Sequence, residues 1–395
     1  MTVRLYENDP YCSCFDAKVV GIDGDWIALD GTYFYPGGGG QEPDLGTIEG
    51  MAVAEVKADK ESVKHRVPRH TFTNGQAVHC EIDWERRYDL MKGHSGEHLL
   101  YGSIQKMLDE LELVKISITP EKKMVMVRGH IDWGIIMASQ RAVNEVIAKG
   151  ILSEEVWVGR DSPLLEKARV KLERIHGDRV RLVSFGDYDI AACSGIHVKN
   201  TSEIGMLLVT KFTSAKPVGD YEIEFEVGNK ATLKALELSS LALQASSSMG
   251  ATTDTLLGAI SNQGEELRMS KDALKKYARQ ALARIVPETI DGMRVYSGVF
   301  EGVDKKVLMD AANSITREST SLCAFATEGD KLTLVVASSP DLGIDCSVVL
   351  NDVLKRVSGK GGGNRTFATG GAQVCGQSEV LVGDVVETVR RCRKV

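Results

Sequence analysis

Residues 84–107 read WERRYDLMKGHSGEHLLYGSIQKM, and this stretch decides the fold of the region around it. Its apolar residues recur every three or four positions, which predicts a helix. His94 and His98 are four residues apart, so they lie one turn apart on the same face of that helix. The stretch therefore predicts a helix that presents two imidazoles side by side.

A second pair of metal-binding side chains has the same spacing, in Cys193-Ser194-Gly195-Ile196-His197. Imidazole nitrogens and a thiolate in a tetrahedral set are the ligands that zinc prefers. We therefore predict a Zn²⁺ site formed by His94, His98, Cys193 and His197. Four protein ligands are typical of a structural zinc, whereas a catalytic zinc keeps one position for water or substrate. Spacing alone leaves both alternatives open.

The first histidine pair also fits the HxxEH motif of inverted zinc proteases, in which the glutamate, here Glu97, activates water. This alternative predicts a peptidase. Those enzymes use an acidic third ligand, and the motif gives no reason for Cys193 and His197. We therefore rank the peptidase below the four-ligand site.

Composition narrows the class of protein. The 395 residues are 43% hydrophobic and 26% charged, which predicts a folded chain of two or three domains. The net charge of −7 argues against general nucleic-acid binding, although basic pairs such as Arg86 and Arg87 could form a local RNA-binding face or an ordinary solvated surface. No signal peptide or membrane span is evident, which predicts a cytoplasmic protein. The scattered cysteines predict mostly reduced thiols.

Changes of pattern along the chain predict an α+β fold with four regions. Alternating residues and Asp-Gly turns predict a small β-barrel-like subdomain over residues 1–90. An α+β zinc-binding domain follows over 91–227, a helical connector over 228–285, and a small α/β domain over 286–395. Each end region contains a run of glycines, at 37–40 and at 359–363, where backbone is accessible to a ligand.

Four motifs in order carry a family resemblance. They are Thr32-Tyr33-Phe34-Tyr35-Pro36 leading into GGGGQ, then Ile82-Asp83-Trp84-Glu85-Arg86-Arg87 ahead of HSGEH, then CSGIHVKNTSEIG at 193–205, and GKGGGNRTFATGGA at 359–372. With these motifs the chain resembles the editing half of alanyl-tRNA synthetases and the long, free-standing alanyl-tRNA editing proteins of the AlaX type. The last motif resembles the DHHA1 domain. The class II charging core is not part of the resemblance, so we expect an enzyme that clears mischarged tRNA rather than charging it.

The resemblance implies hydrolysis of the ester that joins serine, or glycine, to alanine tRNA, with zinc either polarising a water or anchoring the substrate. It places His94 and His98 among the catalytic residues and implies roles for the residues near them. Thr32 would hydrogen-bond the serine side chain, although it also reads as an ordinary strand residue. Gln41 would donate to the ester or order water. The substrate pocket would be lined by Thr32, Gly38, Gly39, Gly40, Gln41 and Ile196.

For the C-terminal domain, the resemblance implies contact with tRNA and a possible homodimer. The residues expected to contact tRNA are Lys360, Gly361, Gly362, Gly363 and Arg365. An ordinary turn with solvent-facing charges explains the same residues. At the level of the whole chain, the alternative to an enzyme is a non-catalytic tRNA-binding protein with a structural zinc.

Overall fold

The computed structural model describes residues 2–59, 62–175, 177–329, 331–373 and 376–393 of the chain. They form two compact units, the first ending at Gln244 and the second beginning at Ala245. None of the described helices combines the length and the hydropathy that a bilayer-spanning segment requires. The cysteines that the structure describes are all free thiols.

The first part of the chain is a curled, barrel-like sheet. In Cys14–Asp23, alternate side chains from Phe15 to Val19 are buried, as a half-buried strand requires. The strands are β1 (Val3–Arg4), β2 (Cys14–Asp23), β3 (Trp26–Leu29), β4 (Gly31–Thr32), β5 (Gly46–Ile48), β6 (Met51–Val53), β7 (Glu55–Asp59), β8 (Ser62–Arg66) and β9 (Ala77–Ile82). Seven of them pair in the order β6-β5-β9-β2-β3-β8-β7. Only Ala54 separates the two edge strands along the chain, so the sheet curls back on itself.

A long helix, α1 (Trp84–Gln105), follows β9 directly and carries the first histidine pair. Its N-cap is Asp83, whose side chain accepts a hydrogen bond from the backbone N–H of Arg86, a favoured arrangement at a helix start. Every residue from Gly93 to Ile104 is buried, so this part of α1 is enclosed on all sides. The helix also runs without a break through residue 90, where the sequence analysis placed a domain boundary.

The remainder of the first unit surrounds α1. One antiparallel sheet has the strands β10 (Glu112–Ile118), β11 (Lys123–Arg128), β15 (Leu207–Ser214) and β16 (Asp220–Val227), and a second has β12 (Ser153–Gly159), β13 (Arg179–Phe185) and β14 (Asp189–Ala192). The first sheet has the order β10-β11-β16-β15 and the second β12-β13-β14. Helix α2 (Trp133–Lys149) packs against α1 and β15. The loop after β14 carries the second pair of predicted ligands.

Two helices occupy most of the predicted connector, α3 (Gly228–Ser248) and α4 (Leu256–Ala283). The division between the two units falls inside α3 rather than at residue 228. The predicted helical character of this region is confirmed.

The second unit is a layered α/β structure, as predicted. Its elements are β17 (Glu288–Ile290), β18 (Met293–Val299), α5 (Lys305–Glu318), β19 (Ser321–Thr327), β20 (Lys331–Ser338), α6 (Cys346–Lys355), β21 (Lys360–Gly363), β22 (Phe367–Gln373) and α7 (Ser378–Arg393). The strands pair in the order β17-β18-β19-β20-β22-β21. Side chains from α4 and α5 pack on one face of this sheet, and α6 and α7 pack on the other. All seven residues of β19 are consequently buried.

Candidate metal centre and its surroundings

The structure brings the four predicted ligands together. His94 and His98 come from adjacent turns of α1, and Cys193 and His197 come from the loop after β14. One ligand atom from each residue can be chosen so that all four lie within 4.8 Å of one another. The Cys193 sulfur lies 3.5 Å from His94 Nε2 and 3.3 Å from His197 Nε2. This group could hold a metal ion.

A second layer of contacts fixes the orientation of all three imidazoles. Each Nδ1 atom has a hydrogen-bond partner, so each Nε2 atom remains available toward the centre of the group. The partners are Gln41 Oε1 at 2.8 Å from His94, Asp189 Oδ2 at 3.0 Å from His98, and Ser95 Oγ at 3.2 Å from His197. Three preoriented nitrogens and one sulfur fit a borderline divalent cation such as zinc.

The charges around the group favour the thiolate form of Cys193 and the carboxylate form of Asp189. Burial by itself would raise the pKa of the Cys193 thiol, but His94 and His197 lower it well below its ordinary value. Burial would also raise the pKa of Asp189, but hydrogen bonds and charges from His98 and Arg169 hold it below the usual range. Both groups are therefore anionic near neutral pH, and the thiolate is the form of cysteine that binds metals.

Asp189 itself is held by a partly buried arginine, Arg169. Arg169 Nε donates to Asp189 Oδ1 at 2.8 Å, and Arg169 Nη2 donates to Oδ2 at 2.7 Å. The approach of α1 to this carboxylate is possible because residue 102 is glycine, since a β-carbon there would lie 2.8 Å from Asp189 Oδ1. Sequence reasoning missed Asp189; a carboxylate four residues before Cys193 was the only local signal.

The loop that carries Cys193 is shaped by two features that the motif did not explain. A β-carbon at Gly195 would lie 2.1 Å from His94 Cε1, so a side chain there would displace the imidazole. Arg181 on β13 donates from Nη1 to the carbonyl oxygens of Cys193 at 2.9 Å and Gly195 at 2.7 Å. Gly195 and Arg181 therefore place the second ligand pair against the first.

The glycine loop formed by residues 37–40 lies beside this group. A β-carbon at Gly39 would lie 3.5 Å from Ser194 Oγ and 3.9 Å from His94 Cε1. Gly38, Gly39 and Gly40 have φ values of 140°, 59° and 89°, which side chains rarely allow. The loop thus presents bare backbone next to a ligand of the metal group, and its role as a wall of the substrate pocket stays a prediction.

Gln41 connects the glycine loop with both ligand segments. Its Oε1 accepts hydrogen bonds from His94 Nδ1 and from the backbone N–H of Ile196 at 3.3 Å. Its Nε2 is buried and has no hydrogen-bond partner among the described residues. A buried donor without a partner lowers the stability of the fold. The Gln41 Nε2 atom is therefore suited to donate a hydrogen bond to an oxygen atom of a ligand. The Ile196 side chain is buried in the main core of the first unit.

Thr32 lies at the end of β4 and is fully buried. Its hydroxyl contacts His65 Nε2 at 2.9 Å and accepts the backbone N–H of Phe34 at 3.1 Å. These contacts belong to the core of the barrel-like sheet. Its expected role in selecting serine stays a prediction.

Arg86 and Arg87 do not form an exposed basic face. Arg86 pairs with Glu42 at 2.7 Å, while Arg87 and Asp44 form a fully buried ion pair. Arg87 Nη2 also donates to the carbonyl of Tyr33 at 2.5 Å. The first turn of α1 therefore holds both ends of the glycine loop, and sequence reasoning missed this role.

Most glycines of the 359–372 motif, those at 361–363, 370 and 371, lie on β21 and β22 rather than in an open loop. β-carbons at Gly361 and Gly370 would approach Leu350 Cδ2 and Leu354 Cδ1 of α6 to 2.6 Å and 2.4 Å, whereas Gly362 has open space around it. Close packing against α6 thus accounts for Gly361 and Gly370. Lys360, Gly363 and Arg365 are exposed, and contact of this segment with tRNA stays a prediction.

Two family models match the chain. Residues 180–219 match the threonyl and alanyl tRNA synthetase second additional domain, and residues 10–86 match the class II (A) tRNA synthetases. The first match includes the Cys193 and His197 pair, and the second includes the glycine loop.

Relatives align along nearly the whole chain. The chain is 29% identical over 398 residues to an alanine–tRNA ligase of Ignicoccus hospitalis, covering 96% of this chain and 42% of the ligase. It is 27% identical over 402 residues to the alanyl-tRNA editing protein AlaX-L of Pyrococcus horikoshii, covering 94% of each. It thus spans less than half the length of that ligase. The resemblance found from the motifs is confirmed.

Among solved structures, the C-Ala domain of Aquifex aeolicus alanyl-tRNA synthetase is 23% identical. That match covers 26% of this chain and 97% of the domain, with a TM-score of 0.23.

Proposed function

We propose that this chain, which is related over nearly its whole length to alanine–tRNA ligases and to an alanyl-tRNA editing protein, hydrolyses the ester of mischarged alanine tRNA. The substrates would be Ser-tRNA(Ala) and Gly-tRNA(Ala), supplied in trans. One observation supports the proposal most strongly: the four-ligand group lies beside the glycine loop. Gln41, which follows that loop, has a buried Nε2 without a partner among the described residues.

His94, His98, Cys193 and His197 would hold zinc in this enzyme. Bound there, the ion would supply Lewis acidity toward an oxygen of the substrate or of water. The outer contacts of the three imidazoles keep their Nε2 atoms directed inward, so the geometry of the group does not depend on the substrate.

Ester hydrolysis also needs a donor for the oxygen that becomes negatively charged and a site for the aminoacyl end of the tRNA. Water adds to the acyl carbon, the bond to the ribose oxygen breaks, and that oxygen takes the proton, giving the free amino acid and an intact tRNA end. Gln41 Nε2, which has no partner among the described residues, would donate to the oxygen on which negative charge develops. The glycine loop would present bare backbone to the aminoacyl end beside His94.

A deacylation assay tests the proposal. Purified protein of measured metal content is mixed with Ser-, Gly- and Ala-tRNA(Ala), and ester loss is followed over time. We expect acceleration for the seryl and glycyl esters, little for the alanyl ester, and loss of activity after chelation with recovery on adding zinc. Absence of acceleration with one metal ion per chain would contradict the proposed function.

A non-catalytic tRNA-binding protein is the second candidate, because four protein ligands are also the usual set of a structural zinc. It predicts salt-dependent tRNA binding without deacylation.

The peptidase alternative would need Glu97 as a base. Cys193 and His197, rather than an acidic third ligand, lie beside the two histidines, so peptide cleavage that is lost in Glu97→Gln would be required to revive this alternative.

We also propose that the exposed Lys360 and Arg365 contact the tRNA and that the second unit mediates dimer formation. Reversing both charges should weaken tRNA binding while leaving metal content unchanged. Light scattering of the purified chain tests the dimer.

A further inference from the structure

Ser194 differs from its neighbours in exposure. Gly195 and Ile196 are buried and Cys193 is half-buried, but the Ser194 side chain is exposed. Its Oγ would lie 3.5 Å from a β-carbon at Gly39 and 3.7 Å from one at Gly38. The hydroxyl therefore faces the glycine loop across a narrow space that exists because the loop has no side chains.

The same space is bordered by the metal group. The β-carbon position at Gly39 that lies near Ser194 Oγ is also 3.9 Å from His94 Cε1. An acyl group that reaches the metal ligands along the glycine loop would therefore pass within a few ångströms of the Ser194 hydroxyl. The atoms of an amino acid closest to its ester carbon are the amine and the first atoms of its side chain.

The hydrogen bonds of Tyr35 leave Ser194 Oγ as an acceptor. Tyr35 donates its phenol proton to the carbonyl oxygen of Gly38 at 3.0 Å. A β-carbon at Gly38 would lie 3.4 Å from the Tyr35 phenol oxygen and 3.7 Å from Ser194 Oγ, so the two hydroxyls border the same part of the glycine loop. Because the phenol proton is used by the Gly38 carbonyl oxygen, Ser194 Oγ keeps its lone pairs for a donor on a ligand.

The hydroxyl of Thr32 is less accessible to a ligand than that of Ser194. It is fully buried and already contacts His65 and the backbone of Phe34. Ser194 is the exposed one of the two, and it borders both the glycine loop and the metal group.

We propose that Ser194 is a specificity-determining residue whose Oγ accepts a hydrogen bond from the side-chain hydroxyl of a seryl ester. The proposal rests on the deacylase function proposed above. A glycyl ester has no such donor, and the methyl group of an alanyl ester cannot replace it. The contact therefore favours the seryl ester over the other two.

The test compares the ratio of kcat/KM for Ser-tRNA(Ala) to that for Gly-tRNA(Ala) in metal-loaded protein. Ser194→Ala and Ser194→Gly remove the hydroxyl, Ser194→Thr keeps it, and Ser214→Ala is a control at an exposed serine of β15. We expect Ser194→Ala and Ser194→Gly to lower the ratio about three- to tenfold, the range of one neutral hydrogen bond. Activity on Gly-tRNA(Ala) should stay constant, and Ser194→Thr and Ser214→Ala should keep the wild-type ratio.

Failure of the proposed role of Ser194 can be distinguished from failure of the deacylase function. If Ser194→Ala slows both esters equally, or neither, Ser194 does not read the serine side chain, although the deacylase function stands. If wild-type protein with bound metal accelerates neither ester, the deacylase function fails and the role of Ser194 fails with it. Metal content measured on every variant separates both cases from loss of the ion.

Discussion

The Asp189 carboxylate illustrates how much of the candidate site depends on a residue that does not belong to the ligand group. It accepts from His98 Nδ1 and is paired with Arg169. We predict that Asp189→Asn lowers metal affinity about 10- to 100-fold, the usual effect of losing an outer contact of a metal-binding histidine. Competition with a chromogenic chelator measures this affinity. Asp187→Asn, at an exposed position two residues away, is the matched control and should bind metal as the wild type does.

His65 predicts a pH dependence of stability that is separate from the metal group. Burial lowers its pKa to about 4, against an ordinary value of about 6.5 in the unfolded chain. The unfolded chain therefore takes up a proton first as the pH falls. The contribution of His65 to the free energy of unfolding is therefore complete above about pH 6.5. It is lost progressively as the pH falls toward 4, by roughly 3 kcal/mol in total.

Urea unfolding of the wild type and of His65→Gln, measured between pH 7.5 and 4, tests this prediction. The free energy of unfolding of the wild type should fall more steeply than that of the variant. Parallel profiles would mean that His65 is already protonated in the folded protein, or that it titrates normally there.

At the residue scale, sequence reasoning reached the four metal ligands because they occur in two short motifs with helical spacing. Asp189 and Ser95 act on those ligands through contacts between segments distant along the chain, such as the 3.0 Å contact from Asp189 to His98. No local pattern encodes such a pairing.

The loop after β14 carries its own element-scale prediction. A β-carbon at Gly195 would overlap the His94 ring, so Gly195→Ala should displace an imidazole and reduce bound metal to well below one ion per chain. Gly21→Ala on β2 is the control, since a β-carbon there would meet only Ala28, at an ordinary contact distance of 3.6 Å. Full metal content in Gly195→Ala would show that the loop can move away from α1.

At the element scale, helices were predictable where periodicity and caps agreed, as in α1 with Asp83 at its N-cap. The enclosure of α1 on all sides was not predictable, because it depends on several elements between β10 and β16, and β16 begins more than a hundred residues after the helix ends. The glycines of β21 and β22 show a related difficulty. Glycine serves both open ligand-binding loops and close packing against a helix, and the sequence looks the same in either case.

The division into two units gives a prediction for the whole molecule. All four tryptophans, at 26, 84, 133 and 157, and the entire metal group lie in the first unit. Because an ion that binds only the folded state raises its stability, chelation should lower the unfolding temperature of the first unit alone.

Two observables separate the units in this experiment. Tryptophan fluorescence follows the first unit, and hydrogen exchange of β19 follows the second. A chelator should shift the fluorescence transition downward and leave protection of β19 unchanged. A shift of both by the same amount would show that the two units unfold as one.

Helix α1 has a consequence for changes in chain length. Arg87 anchors the glycine loop and lies on the same continuous helix as His94. The seven helical residues from one to the other therefore set the angle between their side chains around the helix axis. One alanine inserted among residues 88–93 would turn the histidines by about 100° and advance them by about 1.5 Å relative to that anchor. We predict that such a protein binds no metal, whereas the same insertion after Gly250, in the turn between α3 and α4, keeps a full complement. In this region the chain should tolerate substitutions far better than insertions.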